Sequence, residues 1–367
     1  MTLLILLPAI IYGSLLVLIA TGYWKHPRPS KDNLYQDISI IVAARNEEDN
    51  LESLVRCLDG QDYPKENYEI IIVDDRSTDN TPLLLKSYAE KIPNLRIAHI
   101  EKENPDLIGK KNALNTGIEL ASHDLLAFTD ADCLPPETWL SEINWHIDRD
   151  TDMLAGYSTL LITGHPFPSL LKNFERTVYA AIADGSFGWK IGITCTATNF
   201  VYRKSLFRKV NGFDSIGHIR SGDDDLMMLK MMKYARKVNY MTSPGSSVPA
   251  KYSLRLDSHM ALETRRASKF RYYPLYLKLI AFLVFAFYLY FYTAFVMSLT
   301  GLLSMRIFMN MLLIKTLCEL LFVVPFLAKV KKIRLLWAYP MLMVYYPFHF
   351  LFFALKGTFG RYRWKEN

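Results

Sequence analysis

The segment Thr2 to Tyr23 carries no charged residue, and the stretch from Pro274 to Leu355 is nearly as apolar. A helix of about 20 apolar residues spans a bilayer, since lipid offers no partner for open backbone groups. Between these ends, Lys25 to Arg271 is rich in charge and long enough to bury a core of its own. The chain must therefore fold partly in lipid and partly in water. Its mean hydropathy of only +0.08 averages these two populations. A wholly soluble protein is excluded by the ends, and a pure membrane bundle by the middle. An aromatic content of 13% and the absence of low-complexity tracts exclude disorder.

Ala20 and Gly22 loosely match a signal-peptidase site, but no positive region precedes the apolar run, which is longer than a usual signal core. An uncleaved anchor over 1–24 is therefore expected. Lys25, His26, Arg28 and Lys31 follow it, which by the positive-inside rule puts the middle domain in the cytoplasm. Breaks at Ser304–Arg306 and Lys329–Arg334 divide the C-terminal apolar region, 274–356, into three candidate spans, Leu275–Leu303, Ile307–Ala328 and Leu335–Leu355. Lys315 and Glu319 stand one turn apart, where they can pair. Tyr272, Tyr273, Trp337 and Tyr339 read as interfacial anchors. Three later spans would carry the basic tail, 357–367, to the outside, unless one segment does not cross. Pro340 and Pro347 make the last segment the best suited to bending or re-entry.

Lysine and arginine (43) exceed aspartate and glutamate (36), giving +7, yet no basic tract or RNA-binding signature occurs. A membrane surface or phosphate groups, and no nucleic acid, are the expected partners of this charge. Cys57, Cys133, Cys195 and Cys318 are scattered, with no CxxC and no zinc spacing, which suits a reducing compartment.

In the middle, short β-branched runs alternate with helical patterns. Ile38–Ala43, Glu69–Val73, Leu95–Ile100 and Asp124–Thr129 read as buried strands. Helices are expected through Leu51–Leu58, over Thr81–Lys91 and over Lys111–Ala121. The alternation predicts a doubly wound α/β sheet, whose ligands gather at the carboxyl ends of the strands. Two acidic clusters fall there, Asp74-Asp75 and Asp130-x-Asp132. A lone aspartate after a strand is usually a turn or cap residue, as expected of Asp79 or Asp124. Two such pairs would repel unless a divalent cation or hydrogen-bond donors neutralise them. No GxGxxG and no GxxxxGK[ST] is present, which disfavours nicotinamide dehydrogenases and P-loop enzymes.

The blocks ISIIVAARNEE, IIIVDDRSTDNT, GKKNALNTGI and AFTDADC, followed by CTATNFVYRK and GFDSIGHIRSGDDDLMM, resemble in order and spacing the family 2 glycosyltransferases. The resemblance covers about Ile38 to Arg271. It implies an α/β GT-A (Rossmann-like) domain over 25–273, flanked by transmembrane helices, with a nucleotide-sugar half (38–132) and an acceptor half (133–273). It also implies a UDP- or GDP-linked sugar donor and a divalent cation, Mg2+ or Mn2+. By the same resemblance Ala43, Arg45 and Glu47 line the nucleotide, Asp74 accepts from the base, and Asp75 and Ser77 continue that motif. Gly109, Lys110 and Lys111 approach ribose and phosphate. Asp130 and Asp132 form the DxD motif, with Asp132 the direct metal ligand. Asp224 matches the catalytic base, and Asp223 stands where the family usually has glutamate.

The family's later (Q/R)xxRW motif is degraded here to Leu262-Glu-Thr-Arg265-Arg266-Ala-Ser-Lys269-Phe270. Arg265, Arg266 and Lys269 then serve as diphosphate contacts or as the polar face of a membrane-surface helix, two compatible roles. The decay argues for transfer of a single sugar. The path from Arg265 to Tyr276 into the apolar region points to a lipid acceptor and a multi-pass inner or plasma membrane enzyme. The alternatives are a processive polysaccharide synthase subunit and a catalytically silent scaffold. Ceramide-like lipid, polyprenyl phosphate, carotenoid and diacylglycerol glycan all stay open as acceptors.

Overall fold

The computed structural model describes residues 2–27 and 34–359. Arg28 and Lys31 of the basic stretch, and the tail after residue 359, lie outside the described residues. The chain forms two compact units. One comprises Lys25–Gly164 and Ser186–Tyr252, the other Met1–Trp24, His165–Gly185 and Ser253–Asn367.

In chain order, α1 (Thr2–Thr21) is followed by β1 (Ile38–Ala44), α2 (Glu48–Asp59), β2 (Tyr68–Asp75), α3 (Thr81–Ala89), β3 (Leu95–Ile100), α4 (Lys110–Leu120) and β4 (Leu125–Phe128). Next come α5 (Trp139–His146), β5 (Thr151–Gly156), β6 (Ser158–Leu161), α6 (Pro166–Gly188), β7 (Phe200–Arg203) and α7 (Lys204–Lys209). Then α8 (Asp225–Met232), β8 (Lys237–Met241), β9 (Val248–Lys251), α9 (Leu256–Ser268), α10 (Leu275–Leu299), α11 (Met305–Lys329) and α12 (Tyr339–Phe359) complete the chain.

The α/β unit is built on a seven-stranded sheet in the order β3-β2-β1-β4-β7-β5-β8. β3, β2, β1 and β4 run parallel, β7 is antiparallel to β4 and β5, and β8 is parallel to β5. The parallel half is the alternating strand–helix pattern of the sequence. Every residue of β2 is buried, as a strand covered on both faces requires. α2 closes one face with Leu51, Leu54, Val55 and Leu58, spaced at the helical period, and has Glu48 and Asp49 in its first turn, where the dipole favours them. At the opposite end of the strands, buried Glu69 is satisfied by Ser39 Oγ at 2.7 Å, the Ser122 amide at 2.6 Å and Arg96 at 2.9 Å. That tie leaves the carboxyl ends free to carry other chemistry. β6 and β9 form a separate two-stranded parallel sheet.

Among the described residues, the other unit contains four helices long and apolar enough to cross a membrane: Thr2–Trp24, Leu275–Leu299, Met305–Lys329 and Ile333–Phe353. Tyr12 stacks on Phe287 with ring centroids 4.1 Å apart, within a cluster that includes Phe291, Phe308 and Met311. The expected pair forms, Lys315 Nζ donating to Glu319 Oε2 at 2.8 Å. Tyr12 donates to Glu319 Oε1 and Tyr339 to Glu319 Oε2, each at 2.8 Å. Tyr339 thus uses its hydroxyl inside the protein, where the sequence pointed to an interfacial anchor; a buried carboxylate needs the donor more than a headgroup does. Asp184 of α6, fully buried, accepts from Lys329 at 2.9 Å.

The aromatic residues of α6 and its exit divide between the units. Phe174 is buried in the helical unit, and Phe187 packs edge-on against Tyr240 in the α/β unit. Packing accounts for both; Phe167 keeps 56% of its surface exposed.

Candidate active site

The carboxyl ends of β1 and β2 are stitched into one shelf. After β1, Asn46 turns the chain at φ 54°, a left-handed conformation asparagine tolerates better than most residues. Its amide donates to Ser77 Oγ at 2.9 Å, and its Oδ1 accepts from the Thr78 amide at 2.8 Å. The Glu47 amide donates to Thr81 Oγ1 and the Glu48 amide to Asp79 Oδ2. Asp79 also accepts from the Thr81 amide, so it is the turn residue the sequence pointed to. Ser77 likewise serves the shelf. Ala43 is half-buried at the end of β1, and Arg45 stands exposed above it.

Asp74 and Asp75, at the end of β2, are both buried. Asp74 Oδ2 faces His99 Nδ1 at 2.5 Å, and its Oδ1 accepts from the Ser77 amide at 3.2 Å. Asp75 accepts from Arg76 Nε at 2.8 Å. His99 on β3 was not singled out from the sequence. Its only signal is its place in LRIAHI, where an exposed polar residue reaches the carboxyl end of an edge strand.

Past β4 the chain places Asp130, Ala131, Asp132 and Cys133. The ligand atoms of Asp130, Asp132 and Cys133 lie within 4.8 Å of one another. Burial, then the nearby charges of Asp130 and Glu47, push the Asp132 carboxyl up to about 6. Burial also pushes the Cys133 thiol well up, and it donates to Asp132 Oδ1 at 3.6 Å. With the thiol kept protonated, the donors on offer are carboxylate oxygens, the set a hard divalent cation takes.

Facing this loop is the start of α4. Gly109 caps it at φ 71°, and a Cβ there would sit 3.0 Å from the Arg220 carbonyl, so glycine fits best. Lys110 forms an ion pair with Asp130. Burial alone would lower the Lys110 pKa, but the carboxylates of Asp130 and Asp223 outweigh it and hold the ammonium charged. A lysine at the positive end of a helix dipole costs about 0.3–1 kcal/mol in isolation. Here acidic partners offset that cost, leaving an electropositive helix start beside an electronegative loop.

Lys111 behaves differently from the phosphate-side residue expected of it. It is 1% exposed, and its Nζ donates to the carbonyls of Ile219 and Ser221. It is thereby bound to the segment that leads into Asp223 and Asp224. Gly222 turns that segment at φ 91°, where a Cβ would lie 2.4 Å from Leu226 Cδ1. Asp224 caps α8, its Oδ1 accepting from the Asp225 amide at 2.7 Å. The charges of Glu47, Lys110, Asp130, Asp132 and Asp223 thus act on one another, and Asp224 follows Asp223 in the chain.

Arg265, Arg266 and Lys269 belong to the helical unit, on α9 and the turn after it. Arg266 pairs there with Glu263 at 2.7 Å and lies over the Tyr179 ring; Lys269 is buried.

Residues 39–210 match the family described as Glycosyl transferase family 2. The chain is 34% identical over 128 residues to Glycosyltransferase AglE of Haloferax volcanii, an alignment covering 35% of this chain and 38% of that one. It is 33% identical over 109 residues to Beta-monoglucosyldiacylglycerol synthase of Synechocystis sp., covering 30% of this chain and 22% of the other. The match thus spans well under half the length of either relative. Among solved structures, the mannosyltransferase PcManGT from Pyrobaculum calidifontis, in complex with GDP-Man and Mn2+, superposes with a TM-score of 0.62. That comparison covers 98% of both chains at 19% sequence identity, a likeness of fold. The chain carries a family 2 glycosyltransferase domain of the GT-A fold, flanked by long apolar helices consistent with membrane anchoring.

Proposed function

We propose that the protein is an inverting glycosyltransferase that moves one sugar from a nucleotide-sugar donor to a lipid acceptor at the cytoplasmic face of a membrane. The observation that carries this is the cluster of Glu47, Lys110, Asp130, Asp132 and Asp223 at strand carboxyl ends, beside the N-terminus of α4 and next to Asp224. A helix start with a lysine offers amides and charge to a diphosphate. Asp132 with Asp130 offers oxygens to Mg2+ or Mn2+, which when bound would screen the negative charge of the leaving nucleoside diphosphate.

Asp74 and Asp75 receive the base and ribose side of a UDP- or GDP-linked donor, with Ala43, Arg45, Glu47 and Ser77 lining the shelf. Gly109 and Lys110 meet ribose and phosphate. Lys111 is a positioning residue that holds the loop of Asp223 and Asp224. An acceptor hydroxyl has a pKa far above 7, so a carboxylate must remove its proton as the new bond to C1 forms. Asp224 takes that role, supported by Asp223, and attack opposite the leaving group inverts C1. Arg265 and Arg266, on the stretch entering the first C-terminal span, supply positive charge near lipid headgroups, while Lys269 is buried.

The lipid acceptor is supported by the apolar helices and by the similarity to the Beta-monoglucosyldiacylglycerol synthase of Synechocystis sp.. The cytoplasmic side is supported by Lys25 after α1 and by four scattered cysteines with no CxxC spacing. The test is a screen of labelled nucleotide sugars with purified protein and extracted membrane lipids. Label entering the organic phase only with Mg2+ or Mn2+ present supports the reading. Label confined to the aqueous phase overturns the lipid acceptor, and nucleotide-sugar turnover by no donor overturns the enzyme.

A further inference from the structure

Apart from the strand-end cluster, three residues far apart in sequence converge inside the helical unit: Glu175 on α6, Glu263 on α9 and His349 on α12. Their ligand atoms lie within 4.8 Å of one another, and all three residues are buried, at 6%, 5% and 6% exposure. Glu175 Oε1 and His349 Nε2 are enclosed, yet have no hydrogen-bond partner among the described residues. Leaving such an atom unmet costs about 1–3 kcal/mol, more for a charged group, so two side by side mark a place meant to be filled. We propose that Glu175, Glu263 and His349 form a second divalent-cation site, of the kind that takes Zn2+ or another first-row transition cation.

The donor set argues for that class. An imidazole nitrogen suits zinc and its neighbours, whereas Mg2+ and Ca2+ favour oxygen alone. Three protein ligands leave a tetrahedral ion one open position. The remaining contacts orient the ligands as an outer shell does. Lys172 Nζ holds Glu175 Oε2 at 2.9 Å, Arg266 holds Glu263 Oε1 at 2.7 Å, and His259 stacks on the His349 ring at a centroid distance of 5.6 Å. Lys172 and Arg266 already balance the two carboxylates, so an added dication calls for an anionic fourth ligand such as hydroxide. Because the ligands come from three helices, the ion ties α6, α9 and α12 together. The site shares no residue with the strand-end cluster and does not depend on the proposed transferase reaction.

The experiment uses untagged, full-length protein in detergent with Asp130→Asn and Asp132→Asn, so that the strand-end carboxylates hold no metal. After EDTA treatment it is titrated with Zn2+, reading metal stoichiometry and thermal midpoint. The expected result is one tightly bound equivalent and a raised midpoint, since an ion that binds only the folded state stabilises it. Adding Glu175→Gln or His349→Ala should weaken Zn2+ binding by at least about 100-fold. Retained nucleoside diphosphate binding by Glu175→Gln and His349→Ala with Asp130 and Asp132 intact checks that the α/β unit still folds. Absence of bound Zn2+ in the Asp130→Asn, Asp132→Asn protein, or undiminished affinity in the isosteric Glu175→Gln variant, overturns the site.

Discussion

Asp132 and Asp224 carry the two carboxylate roles of the proposed reaction, and both need the ionised form. Asp224 must be ionised to accept a proton, and replacing it by asparagine keeps its shape and its cap on α8 while removing its basicity. Asp224→Asn is expected to lower turnover by about 100- to 10,000-fold with donor affinity nearly unchanged, read by steady-state kinetics and calorimetry. Rates within threefold of wild type, taking threefold as roughly the margin below a general-base effect, would remove Asp224 from the role. Asp132 carries a carboxyl raised to about 6 by burial and by Asp130 and Glu47, so below that pH a proton competes with the cation. Mn2+ affinity should therefore fall as pH drops through about 6, and Asp132→Ala should abolish the metal-dependent tightening of nucleoside diphosphate binding. Stability has the matching sign. A carboxyl raised above its ordinary 3.8 contributes stability below that value and loses it as pH rises through about 6. Cation-free Asp132→Asn protein should lack that loss, as thermal midpoints on both sides of pH 6 would reveal.

At the scale of elements, the parallel half of the sheet was legible because β1, β2 and β4 are mostly apolar runs ending in acidic loops. The antiparallel β7 was not, since Phe200–Arg203 is a four-residue strand whose direction depends on neighbours distant in sequence. The acidic pairs announced themselves by position. The stitching of Asn46 to Ser77 and Thr78, the His99 partner of Asp74 and the buried fate of Lys111 did not, because each depends on a contact between loops. Lys111 carries its own consequence. Lys111→Met strips both carbonyl partners from the loop before Asp223, and about 1–3 kcal/mol of stability should be lost on thermal or denaturant unfolding. Turnover should fall more than donor affinity does. In the helical unit, Glu319→Gln leaves Lys315, 1% exposed, without its anion. Removing one partner of a buried pair costs about 3–5 kcal/mol, visible as a lower thermal midpoint in detergent.

For the whole molecule, the apolar ends and the charged middle set the division of labour that composition alone indicated. The cytoplasmic orientation has a direct check at Leu83, 70% exposed on the α/β unit. A Leu83→Cys variant should resist a membrane-impermeant maleimide in intact cells and react once they are permeabilised; labelling without permeabilisation would reverse the orientation. The central claim is that one sugar reaches a lipid through the Asp132 and Asp224 site, and mass spectrometry of lipids from cells making wild-type or Asp224→Asn protein tests it most directly. The expected result is a lipid heavier by a single sugar in the wild type and absent from the variant. A ladder of many sugars, a product left in the aqueous phase, or the same lipid from the variant would contradict it.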